Sequence, residues 1–348
     1  MGYIVKKAPS IFSLAALGLL GLTNSLENKP PTPALFATNQ TEILAPTNMG
    51  CDTLLANTAT HCNLNQYASV AMDAHSGEVI ASYNPHKALY PASLVKMMTV
   101  LLALEKLDDG SWQLNTPLKA KTFCSTTPRL AKLNLKENQQ ITVEQGIFGA
   151  FIVSAADAAQ TLACNMAGSP SAFVTKMNEK ADALGMCNTV FTDAVGDYGP
   201  NDCQQKSTAY DMALLAQALN QKHAAHSQLL AAPSVYWPQK NKTYNNHALT
   251  PHLKKHDMVW GKTGFLDKSG NNIAAVFKDN MIVVTFGNNS AWDRAYHTAD
   301  FLRTAKEIKA NQQFSRSHLF GCAQSAHGVL GLPPSWWQQG GPTNVLRQ

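Results

Sequence analysis

The sequence predicts one mixed α+β domain in which strands from the two ends of the chain share an antiparallel sheet around a helical insert. Three observations carry that prediction. Ala68, Val70 and Met72 alternate with more polar neighbours, and a turn at His75-Ser76-Gly77 leads into Glu78–Tyr83, the pattern of a two-strand hairpin. The centre of the chain, from Pro91 to Gln221, is dominated by helical apolar spacing. After it come two apolar runs, Asn272–Phe277 and Met281–Phe286, separated by a Lys278-Asp279-Asn280 turn.

At the N-terminus, Lys6 and Lys7 precede an apolar stretch, Ile11–Leu22, too short to cross a membrane as a helix; residues 1–25 therefore read as a secretory signal peptide. Small residues at Thr23-Asn24-Ser25 offer a cleavage site, and an uncleaved anchor is the alternative. Residues 26–60, rich in Pro, Thr, Asn and Ala with no sustained apolar period, are expected to form an extended linker. The domain is expected over 61–310. Within it, Pro91–Leu107 begins on a proline and carries Leu94, Val95, Met97, Met98, Val100, Leu101, Leu102 and Leu104 around most of its circumference. Such a helix is buried rather than laid on a surface.

Further helices are expected over Val143–Ala167, Ser171–Leu184 and Ser207–Gln221. Strands follow at Met258–Phe265, Asn272–Phe277 and Met281–Phe286, and a helix over Trp292–Ala310 closes the domain. Residues 311–348 are expected to be a short tail whose Trp336-Trp337 pair packs locally, since no amphipathic helix accompanies it. Membrane contact is expected only through an uncleaved N-terminus or this tail.

Composition narrows the function classes. Of the 348 residues 45% are apolar, enough for a sizeable core, but only 15% are charged, well below the roughly 25% of an average soluble protein. A net charge of +5 with no basic run longer than a pair such as Lys254-Lys255 excludes a dedicated nucleic-acid binder. His252 with His256, and His223 with His226, have helical spacing but no acidic or Cys partner in a metal-like register, so neither a metal nor another cofactor is expected. Seven cysteines in an exported chain point to disulfides. Cys51 and Cys62, and Cys187 and Cys203, are each close enough in sequence to close a short loop; an odd count leaves at least one thiol without an intrachain partner.

Ser93-Leu-Val-Lys96 lies at the first turn of the buried helix, where a spacing of three puts the hydroxyl and the amine on one face. A hydroxyl becomes a nucleophile when a base takes its proton, and a lysine serves as that base when desolvation lowers its pKa. Val95, Met97 and Met98 give Lys96 such a setting. The helix N-terminus would favour an oxyanion forming beside Ser93. Alone, the motif is weak, since a chain this long contains about one match by chance. It is followed by Ser154 in Ser-Ala-Ala-Asp-Ala-Ala159 and by Lys262-Thr-Gly264 on a strand, where Gly permits close backbone approach.

The ordered set of Ser-x-x-Lys, a serine motif and Lys-Thr-Gly is the signature of serine β-lactamases and penicillin-binding proteins. With Asn84–Thr99, Met177–Met186 and Ser207–Ala216, the chain resembles the low-molecular-mass D-alanyl-D-alanine carboxypeptidases from about Tyr67 to Ala310. The resemblance implies the β-lactamase/transpeptidase-like fold, a five-stranded antiparallel sheet flanked by helices with the active site at their junction. It implies Ser93 as nucleophile, Lys96 as general base, Ser154 as proton relay to the leaving amine, and Lys262 and Thr263 as binders of the substrate's terminal carboxylate. Backbone N–H groups of Ser93 and of Phe265, after Gly264, would form the oxyanion hole. Arg294 falls where the family can supply an arginine for that carboxylate, or is an ordinary helix charge. Asp157, Asn178 and Tyr210 also match family words, although capping and packing account for them.

The implied partners are peptidoglycan pentapeptide stems, with β-lactams as covalent inhibitors. The family's middle motif reads Ser-x-Asn, whereas this chain has Ser154-Ala155-Ala156. The amide that would bond the substrate and contact the lysine is absent. A neighbouring polar residue replaces it, the substrate differs, or catalysis has decayed. The expected activity is a D,D-carboxypeptidase, with a D,D-endopeptidase and a weakened peptidoglycan-binding protein as alternatives. A class A β-lactamase fits less well, because no Glu-x-x-Leu-Asn word follows Ser154.

Overall fold

The apolar runs of the last third are buried on both faces, and that fixes the layers of the domain. The computed structural model describes residues 67–121, 130–197, 205–222 and 226–325. The expected signal peptide and linker, and most of the expected tail with its tryptophan pair, lie outside the described residues.

In chain order, strands β1 (Ala68–Asp73) and β2 (Val79–Tyr83) form the expected hairpin. A 3-10 turn, Ala92–Val95, leads into helix α1 (Lys96–Asp108). Short strands β3 (Pro117–Lys119) and β4 (Gln140–Thr142) pair before helices α2 (Val143–Phe151), α3 (Ala156–Ala167), α4 (Pro170–Ala183), α5 (Ala209–Lys222) and α6 (Ser227–Ala231). A second hairpin, β5 (Ser234–Trp237) with β6 (Lys242–Asn245), and helix α7 (Pro251–Lys254) precede β7 (Met258–Leu266), β8 (Gly270–Phe277), β9 (Met281–Asn288) and helix α8 (Ala291–Ser325).

The five-stranded sheet has the order β2-β1-β9-β8-β7 and is antiparallel throughout. The N-terminal β1 thus sits between β2 and the C-terminal β9, with Val70 opposite Val284. Side chains alternate across the pleat. Val70, Met72, Val276, Ile282 and Val284 join a core with α1, α2, α3 and α5. Ala71, Ala275, Phe277 and Val283 join a second core with Ala295, Ala299, Leu302 and Ala305 of α8. Helix α1 is buried almost all round, as its composition requires.

The structure departs from the sequence expectation at several places, and the short pairs β3/β4 and β5/β6 were not expected. The helix expected over 143–167 is broken between Phe151 and Ala156, with Ser154 in the left-handed region at φ +61°. Tertiary bonds compensate for the break: Ala156 N–H donates to the Ala131 carbonyl at 2.8 Å, and the Asp157 carboxylate accepts from Leu133 and Leu135 N–H at 3.0 and 2.9 Å. Ser93 lies on the 3-10 turn ahead of α1 rather than in its first α-helical turn. Helix α8 runs past Ala310 to Ser325, as the absence of Gly and Pro between 311 and 320 allows.

Cys164 and Cys187 are both disulfide-bonded. Among the described residues, no helix is long and apolar enough to cross a membrane.

Candidate active site

The site is built where the 3-10 turn and the α2–α3 break meet the edge strand β7. Ser93 is presented by a backbone under local strain, for the preceding Ala92 holds a left-handed φ of +50°. Lys96 follows one turn later and is fully buried. Its Nζ donates to Ser93 Oγ at 2.8 Å and to the Val195 carbonyl at 2.6 Å. Burial pulls the Lys96 pKa from 10.5 down to about 8, against the opposing charges of Asp193, Asp197 and Asp157.

A second Lys–Ser pair faces the first. Lys262 Nζ donates to Ser154 Oγ at 2.8 Å and to the Thr263 carbonyl at 2.9 Å. Burial, then the neighbouring charges of Lys96 and Arg294, hold Lys262 well below its ordinary pKa. Two serines thus each touch a buried lysine, in a site that disfavours excess positive charge.

Between the pairs opens a cleft of about 320 Å³ lined by Ser93, Ser154, Thr263, Gly264, Phe265 and Arg294. The close approach of β7 to the Ser93 turn requires glycine at 264: a Cβ there would lie 2.8 Å from the Pro91 carbonyl oxygen and 3.2 Å from Ser93 N. Phe265 is 56% exposed. Arg294 is buried, its Nε lacks a hydrogen-bond partner, and burial pulls its pKa down to about 10. The expected residues Ser93, Lys96, Ser154, Lys262, Thr263, Gly264, Phe265 and Arg294 are therefore brought together.

A model of the D-alanyl-D-alanine carboxypeptidase family matches residues 55–290. The chain belongs to this family. The D-alanyl-D-alanine carboxypeptidase DacF of Bacillus subtilis is 32% identical over 152 residues, covering 44% of this chain and 38% of the relative. DacA of Haemophilus influenzae is 28% identical over 275 residues, covering 72% of this chain and 66% of the relative. The chain thus spans less than two thirds of either. Among solved structures, penicillin-binding protein 5 of Haemophilus influenzae aligns at 25% identity and a TM-score of 0.62, over 71% of this chain and 72% of that one.

Other family matches have structural work. Asn178 donates to the Val174 and Phe191 carbonyls and accepts from Phe191 N–H, tying α4 to the segment before the site. Asp157 pins the stretch that carries Ala131. Ala156, the position of the family's missing amide, is fully buried and does not line the cleft.

Sequence reasoning missed two supports. Asn272 donates to the Tyr90 carbonyl at 2.9 Å and accepts from Gly287 N–H at 3.0 Å, clamping the sheet to the segment that leads into the Ser93 turn. Asp193 shapes the turn that ends at Lys96's carbonyl partner; the Asp-x-x-Gly spacing 193–196 was its available signal. His252 and His256 lie in a surface ring cluster with Trp292 and Tyr296, while His226 pairs with Asp108 at 3.1 Å.

Proposed function

We propose that the protein is an exported serine D,D-carboxypeptidase that trims the D-Ala-D-Ala end of peptidoglycan stem peptides through an acyl-enzyme on Ser93. The observation that carries this is the 2.8 Å contact between the Ser93 hydroxyl and a buried lysine whose pKa is pulled down to about 8. As Ser93 Oγ attacks the penultimate carbonyl, its proton passes to Lys96 Nζ. The N–H groups of Ser93 and Phe265 stabilise the oxyanion. Ser154, bonded to Lys262, relays a proton to the departing amine. Lys262, Thr263 and Arg294 hold the terminal carboxylate, which accounts for a buried guanidinium with an unpartnered Nε. D-alanine leaves, and water completes the cycle. Residues 1–25 direct export and 26–60 tether the domain.

Fluorescent penicillin tests the assignment on the full chain: a covalent adduct is expected with wild type and is lost in Ser93→Ala. No acylation of the wild type overturns the enzymatic reading, and labelling that survives Ser93→Ala overturns the nucleophile. A D,D-endopeptidase would use the same residues. Release of D-alanine from monomeric pentapeptide muropeptides without cleavage of cross-linked ones supports the carboxypeptidase.

A further inference from the structure

Lys96 is gripped from one side by a carbonyl whose position is not set by secondary structure. A neutral amine has two N–H donors and one lone pair. With an N–H committed to Val195 O at 2.6 Å, the lone pair is free to face Ser93 Oγ at 2.8 Å. Whatever fixes the Val195 peptide therefore aims the base.

That peptide is held by one half-buried carboxylate. Asp193 Oδ1 accepts from Val195 N–H at 2.7 Å and Gly196 N–H at 2.6 Å, and Oδ2 accepts from Asp197 N–H at 3.1 Å. Gln205 braces the same turn, accepting from Thr192 and Asp193 N–H and donating to the Asp197 carbonyl at 2.7 Å. Thr99 of α1 donates to the Ala194 carbonyl at 2.7 Å. Gly196, at φ +86°, lies so close to the Ser93 turn that a Cβ would clash with the Ala92 carbonyl oxygen. Ala156, at the start of α3, offers Lys96 no hydrogen bond.

We propose that Asp193 is the positioning residue for the general base, holding the Val195 carbonyl against Lys96 and supplying a compensating charge in place of a motif amide. This rests on Ser93 and Lys96 acting as nucleophile and base. The charged groups acting on Lys96 are Asp193 and Asp197 of the turn, Asp157 of α3 and Lys262 of β7. Of the carboxylates opposing burial at Lys96, Asp193 acts most strongly. Burial raises the proton affinity of Asp193 itself, while its N–H donors and Lys96 favour the charged form.

Two variants separate geometry from charge in the full-length protein. Asp193→Asn keeps an acceptor for the turn and removes the charge; Asp193→Ala removes both. Two readouts are taken across pH: the fluorescent-penicillin acylation rate, and the titration of the Lys96 resonance in protein carrying 13C-labelled lysine, assigned with Lys96→Met. In Asp193→Asn, the Lys96 titration and the acid limb of acylation are expected to move together to lower pH by about one unit. The maximal rate of Asp193→Ala is expected to fall by about tenfold or more. A Lys96 titration in Asp193→Asn at its wild-type position overturns the charge role. Wild-type acylation by folded Asp193→Ala overturns the positioning role. If Asp193→Ala does not fold, Asp193→Asn still decides the charge role through its acid limb and resonance, and Gly196→Ala, which disturbs the same turn at its left-handed residue, takes the place of Asp193→Ala as the test of positioning. A wild type inert to penicillin defeats the enzymatic reading instead, while the resonance still reports whether Asp193 acts on Lys96.

Discussion

The burial that suits Lys96 to the proposed role of base also makes it a burden on the fold. Its pKa of about 8 means that the neutral, proton-accepting form accumulates as pH rises through that value. The acylation rate of wild type is therefore expected to climb with pH below about 8 and level off above it. The stability consequence follows from linkage. The folded pKa lies below the unfolded 10.5, so between about 8 and 10.5 the unfolded chain binds more protons and stability rises with pH. Below about 8 both states are protonated and the full penalty, about 3 kcal/mol, is present. Lys96→Met should thus be inactive yet more stable than wild type at pH 7, with the advantage shrinking by pH 10; denaturant melts at both pH values check this, and a gain that does not shrink would contradict it. At this scale Ser93, Lys96 and Lys262 were legible because their spacing is a known signature. Asp193 was not, because Asp-x-x-Gly is also the spelling of any surface turn. Only its contact with the peptide that holds Lys96 gives it meaning.

Elements were legible where local pattern and burial agree. Strands β8 and β9 are continuous apolar runs because both faces are covered, and α1 is apolar all round because it is enclosed. The α2–α3 break was invisible, since Ile152–Ala155 contains no Gly or Pro and the bonds that compensate come from Ala131, Leu133 and Leu135. The paired strands β3 and β4 are three residues each and take their order from long-range pairing, which local periodicity does not report. The contact between β7 and the 3-10 turn is where an element's position becomes chemistry. Gly264→Ala would push the strand from the Pro91 carbonyl and Ser93 N by a few tenths of an ångström or more. Acylation should fall by about a hundredfold with only a modest loss of thermal stability. An unchanged rate in stopped-flow labelling would show that the turn and strand are not held in register by that contact.

The whole molecule is closed by β1, which enters the sheet between β2 and β9 and ties the N-terminal side of the domain to its last strand. The hairpin and the C-terminal strands were each readable locally; their merger into one sheet was the part that the mixed order of elements predicted and the register confirmed. A chain ending after Lys278 lacks β9 and α8, leaving β1 and β8 with open edges and the outer core without its helix. It is expected to show no cooperative melt and no penicillin adduct; a cooperative melt by circular dichroism would contradict this. The pairing of β1 with β9 also has a temporal meaning. Ser93 and Lys96 leave the ribosome well before Lys262, and the sheet that sets the two lysines facing one cleft cannot close until Met281–Asn288 has been made. A chain that has not yet formed β9 consequently has Ser93 and Lys96 without the cleft that Lys262 helps to complete. Closure of the sheet, rather than the local Ser93–Lys96 spacing alone, is what assembles the cleft.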